Sequence, residues 1–141
     1  MDLDFNDFYI LHEVLKEYVF DILIIEYNGT HTVNEDKVII YNGNRMWDFS
    51  NYFGASLLAF YKLCNSFNYS LVYCCEPGVN AFFIHNDILA KMNDTFKDCN
   101  NIELLYKKAN YSSGPNGGHP QDPYKRPYIS AQDAIHISPF L

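Results

Sequence analysis

Two short acidic stretches hold the residues best suited to chemistry. One is Asp2, Asp4, Asn6 and Asp7 in MDLDFND; the other is Glu26 and Asn28 in ILIIEYN. In extended chain, alternate side chains share a face, so Asp2 pairs with Asp4 and Glu26 with Asn28. A carboxylate directly after four aliphatic residues is costly to bury unless it has a role. If the two acidic ends converge, Asp4 or Glu26 can act as general base on a hydroxyl. Asp2, Asn6, Asp7 and Asn28 would then contact the substrate. The same oxygens suit a divalent cation, which gives a weaker reading as a carboxylate-metal hydrolase on Asp2, Asp4 and Glu26. No histidine has ligand spacing, so no metal is assigned. Plainer roles stay open: capping of a helix and favourable placement at its dipole for the first group, solvent exposure at a strand end for the second. Trp47, Asp48, Tyr52 and Phe53 form a third group. They either line a substrate pocket or staple a long loop to the core.

The elements that must position these groups follow from patterning. Phe20 to Asn28 contains the unbroken run Ile22–Ile25 and reads as a strand buried on both faces, of the kind found in parallel sheets. Ligands of such sheets sit beyond the carboxyl ends of the strands, where Glu26 and Asn28 stand. Before it, Phe8, Leu11, Leu15 and Tyr18 fall on one helical face within residues 5–18, with His12 on the polar side. That order makes MDLD the end of a preceding strand. Residues 28–50 form a long polar connection with a short extended stretch at 37–41. Phe53, Leu57, Phe60, Cys64 and Phe67 give a second helix over about 52–67. YSLVYCC and AFFIH, joined by the EPGV turn, predict an antiparallel hairpin of strands. A short helix over 88–92 follows, capped by Asn86 and Asp87. Residues 1–92 are therefore expected to form one α/β domain. Residues 93–141 would be a Pro-, Gly- and Tyr-rich extension that wraps the surface or stays partly irregular, with a helical turn at Ser130–Asp133.

Composition narrows the function classes. The net charge is −7, and the only basic doublets are Lys107-Lys108 and Lys125-Arg126. Nucleic-acid affinity rests largely on Lys and Arg, so a nucleic-acid partner is not expected. The N-terminal residues lack a basic n-region, and no apolar run reaches the ~20 residues needed to span a bilayer. The expectation is a soluble, cytoplasmic protein with no membrane partner. Cys64, Cys74, Cys75 and Cys99 show no C-x-x-C spacing and read as reduced thiols.

Three stretches together carry a family likeness: MDLDFNDFYILHEVL with FDILIIEYNG, WDFSNYFGASLLAFYKL, and YSLVYCCEPGVNAFFIHNDIL. Over about Met1–Leu89 the chain resembles the C-terminal half of FkbM-like S-adenosylmethionine-dependent methyltransferases. The tail GGHPQDPYKRPYIS is similar to the end of the same group. The resemblance implies a partial doubly wound, Rossmann-like class I methyltransferase sheet, mixed and ending in an antiparallel hairpin strand. The chain would supply the equivalents of strands four to seven. It implies methyl transfer to an oxygen of a small-molecule acceptor. The family holds its cofactor on a glycine-rich turn after strand one and an acidic residue ending strand two. This sequence has no G-x-G pattern. It is therefore read as a truncated copy or one half of a split protein, inactive alone and not expected to bind S-adenosylmethionine by itself. An exposed sheet edge would favour self-association or an N-terminal-half partner. The competing reading is a non-catalytic interaction module that pairs through that edge.

Overall fold

The structure, a computed structural model, describes residues 1–93 and 95–137. The expected tail beyond 137 lies outside them. The first helix, α1, spans Asp7–Glu17. It buries Phe8, Leu11 and Leu15 as its periodicity requires. Tyr18, however, leaves the helix in extended conformation and is 63% exposed. His12 is turned inward, not solvated, with its ring against Phe67. Asn6 occupies the N-cap position without a side-chain cap and instead donates from Nδ2 to Asn42 O at 3.0 Å.

Strand β1 is Ile22–Glu26. Only one of its faces is buried, contrary to the expectation from its apolar run. Leu23 and Ile25 point into the core, whereas Ile22 is 55% and Ile24 47% exposed. After the loop, β2 covers Val38–Ile39, within the predicted extended stretch. Helix α2 is Leu57–Ser66 and starts later than periodicity suggested. Gly54 has φ +51°, which only glycine adopts readily, and Ala55 bridges back to Val38, so residues 52–56 are held out of the helix. Ser56 caps α2 by accepting from Ala59 N at 3.2 Å.

Strands β3 (Tyr69–Cys74) and β4 (Asn80–His85) form the predicted hairpin. The sheet order is β1-β4-β3, and β4 is antiparallel to both neighbours. The fold is thus mixed α/β around a small three-stranded antiparallel sheet. A mixed sheet ending in an antiparallel hairpin strand was expected, and the hairpin is present. The tight 75–79 turn folds β4 back into the middle, so the described strands make no parallel pair with one another. α2 packs on β3, and a continuous core joins it to α1 and the sheet.

Helix α3 begins at Asn86 and ends at Leu89, earlier than expected, because His85 rather than Asn86 takes the cap position. Helix α4 is Ile102–Leu105. The tail then folds back on the molecule. β5, Tyr128–Ile129, pairs with β2, and α5, Ala131–His136, buries Ala131 and Ala134 against the core. Ser130 caps α5, at the position predicted for a last helical turn. The four cysteines are free thiols. Among the described residues no helix is long and apolar enough to cross a membrane.

Candidate functional site: an acidic corner at the end of β1

The segment before α1 is tied to β1 by backbone. The Met1 amino group donates to Ile24 O, and Glu26 N donates to Met1 O at 3.0 Å. Bonds from one residue to both flanks of Ile25 are the pattern of parallel pairing. Met1 therefore lies alongside β1 as the expected strand end, although only one residue takes part. Asp7 fixes the next turn: its Oδ1 accepts from Leu3 N at 2.8 Å. Asp4 sits at φ +64°, a left-handed conformation that Asp tolerates better than most residues.

These ties bring Asp2, Asp4 and Glu26 together. One oxygen from each lies within 4.8 Å of the others. Asp2 and Asp4 are exposed and Glu26 is half-buried. Burial, followed by the charge of Asp2, pushes the Glu26 carboxyl up to about 8; Asp7, a hydrogen bond with Asp2 and Asp4 add to it. Three acidic groups this close cannot all ionise cheaply, so Glu26 is the one that keeps its proton near neutrality. The set has the chemistry of a general base, and of an oxygen-ligand set for a hard cation.

A cleft of about 440 Å³ adjoins the corner. Asp4 and Asn6, with Leu3 and Phe5, form one wall, and Met46, Trp47 and Phe49 the other. Asp4, Asn6 and Trp47 from the predicted site thus share one apolar-walled space. Asp2 and Glu26 meet Asp4 at the corner without lining the cleft, and the other predicted residues are engaged elsewhere. Asp7 is 1% exposed, and its carboxyl is raised by burial and committed to Leu3 N. Asn28 is fully buried. Its Nδ2 donates to Asn51 O at 2.8 Å and Phe53 O at 3.1 Å, and its Oδ1 accepts from Thr30. It braces the loop and leaves nothing for a ligand. Tyr52 is buried; its hydroxyl donates to Pro127 O and accepts from Ile40 N. Phe53 is buried in the aromatic cluster. Against the opposing effect of burial, hydrogen bonds from Ser50 Oγ at 2.6 Å and Arg126 Nη2 at 2.6 Å hold the Asp48 carboxyl below the usual range. The stapling role fits Asp48, Tyr52 and Phe53.

Two residues beside the cleft were not signalled by sequence. The His119 ring lies 4.6 Å from Trp47, 5.6 Å from Phe53 and 4.9 Å from Tyr111, between centroids. Burial pushes the Tyr111 hydroxyl up to about 12, helped by the charge of Glu26. Nothing in GPNGGHP announces such a contact, because the partners come from the distant loop at 47–53.

The glycines do not form a nucleotide cradle. A Cβ on Gly29, directly after β1, would strike the backbone of Gly78 and Ala109, and one on Gly78 would strike Lys108. The space beside Gly29 and Gly78 is taken by the chain itself, so neither leaves room for a phosphate or cofactor against its backbone. Comparisons with family models, curated proteins and solved structures found no match.

Proposed function

We propose that this chain is the acceptor side of an FkbM-like O-methyltransferase. Glu26, in its ionised form, is the general base, and Asp4, which lines the cleft within 4.8 Å of it, links it to the acceptor. The observation that carries this reading is the convergence of Asp2, Asp4 and Glu26 at the carboxyl end of β1, beside an apolar cleft. A base with a proton affinity near neutrality is suited to taking the proton of a hydroxyl acceptor as its oxygen becomes a nucleophile. The 440 Å³ cleft fits a small molecule that enters between Trp47 and Asp4. The doubly wound part of the proposal draws support from Met1 bonding in parallel fashion to β1 and from the reversed β4. The methyl donor implied by the family, S-adenosylmethionine, finds no cradle here. The proposal therefore assigns donor binding to an N-terminal-half partner, and no step is derived through it.

Calorimetry on the purified chain tests the division of labour. S-adenosylmethionine at millimolar concentration should give no heat. Saturable binding would show that the glycine argument is mistaken. Activity should appear only when a donor-binding half is supplied, and Glu26→Gln should then lower kcat by about 10²- to 10⁴-fold, the usual weight of a general base. Full activity of that variant would remove Glu26 from the role.

A second reading rests on a separate observation. Tyr18, Val19, Phe20, Ile22 and Ile24 leave a run of exposed apolar side chains along and before β1. A protein that uses this surface to pair with another chain, without catalysis, would show the same feature.

A further inference from the structure

Away from the acidic corner, a second cleft of about 500 Å³ opens between the loop after β1 and the returning tail. Its walls include His31, Lys37, Asn116, Lys125, Arg126 and Tyr128. Three of the ten Lys and Arg residues of this acidic chain meet here, against two carboxylates, Glu35 and Asp122. Lys37 is held by Glu35 at 2.6 Å, and Arg126 by Asp122 at 2.9 Å and Asp48 at 2.6 Å. Lys125 has no ion pair among the described residues. It is the cation this cleft can offer to a visitor.

Hydrogen-bond accounting points to the same cleft. Among the described residues only two buried side-chain polar atoms lack a partner, His31 Nε2 and Arg126 Nη1. Both belong to walls of this cleft. Buried polar groups in folded proteins are nearly always paired, so two orphans at one cleft call for a missing partner. An unpaired guanidinium N–H asks for an acceptor, ideally an anionic one. His31 is 6% exposed and its ring meets Tyr128 edge-on at 4.7 Å. Burial pushes it down to about 4, so it is neutral and suited to a hydroxyl.

We propose that this cleft binds a small hydroxylated molecule carrying one anionic group, a phosphate or carboxylate, of about sugar-phosphate size. Lys125 and Arg126 take the anionic group. His31 and the Asn116 Oδ1 meet hydroxyls; Asn116 Nδ2 is held by Thr30 O, and Lys37 lies over the Tyr128 ring. The site is separate from the acidic corner and does not depend on methyl transfer.

The test is titration of the full chain with glucose 6-phosphate, glucose and inorganic phosphate, followed by calorimetry and by the NMR signals of the His31 ring. Saturable shifts are expected for the sugar phosphate, with glucose and phosphate each about tenfold weaker or more. Lys125→Glu should weaken the sugar phosphate by at least about tenfold while leaving the melting temperature within about 2 °C, since Lys125 is a surface residue. Three results overturn the proposal. They are no saturable response at about 20 mM of any probe, phosphate alone binding as tightly as the sugar phosphate, or binding unchanged in Lys125→Glu.

Discussion

Glu26 gives the molecule a pH response that can be stated with its sign. Its folded proton affinity, about 8, lies above the ordinary 4.5. Between those values the folded chain holds more protons than the unfolded one, so stability falls as pH rises from about 4.5 through 8. Glu26→Gln removes the titration. Its melting temperature should match the parent near pH 5 and exceed it by a few degrees at pH 9. Equal pH profiles would mean that the acidic corner is open to solvent and that Glu26 titrates normally. Glu26 was legible as the end of a strand, but the approach of Asp2 and Asp4 rests on a turn, with Asp4 at φ +64°, that strand alternation does not predict. The burial of Asn28 was not legible either. Its braces are backbone carbonyls of Asn51 and Phe53, 23 and 25 residues away, and nothing in the local pattern marks a carbonyl as a partner. The same holds for Asp7, which as a carboxylate at a helix start suggests a surface position although it is 1% exposed.

The elements follow their periodicity wherever that signal is long, and depart from it where one residue breaks it. α1, β1, α2 and β3 lie within the stretches their patterns predict, and β4 begins one residue before its own. The start of α2 moved because Gly54 and the Ala55–Val38 bridge take five residues that continue the apolar spacing. At that boundary Ser56 does two jobs: its Oγ accepts from Ala59 N and from Lys37 N. Ser56→Ala is expected to cost about 1–2 kcal/mol in urea unfolding, the upper part of the range for a cap, because a second donor loses its partner. A loss below about 0.5 kcal/mol would show that water replaces both bonds. β1 misled for a different reason. Four consecutive aliphatics describe a strand with apolar residues on both faces, but they do not say whether anything covers both. Here the core covers one face, through Leu23 and Ile25, and Ile22 and Ile24 remain open on the other.

At the scale of the whole molecule, that open face and the thinly paired edge of β1, bonded there only to Met1 among the described residues, predict self-association. Ile24→Lys should shift sedimentation toward monomer at high concentration, with little change in melting temperature because the position is 47% exposed. A parent chain that is monomeric at all concentrations would remove both the self-pairing and the interaction-module reading. The wrapping of the tail was only partly legible. Ser130 and the following residues signalled a helical turn, but β2 and β5 are two residues each, too short for any period to show. Their closure depends on Arg126, whose guanidinium lies 4.2 Å from the Tyr52 ring centroid and bonds Asp48 and Asp122. Arg126 and Asp48 are 78 residues apart. Closing so large a loop costs entropy before any contact rewards it, and distant contacts of this kind tend to form late. The α2–β3–β4 segment can assemble from neighbouring chain, whereas Asp48 and the outer edge of β2 find Arg126 and β5 only when the tail arrives. Arg126→Met should therefore speed unfolding while leaving the refolding rate nearly unchanged in stopped-flow measurements. During synthesis, Asp48 and the edge of β2 that β5 covers would stay without those partners until residues 122–129 have left the ribosome.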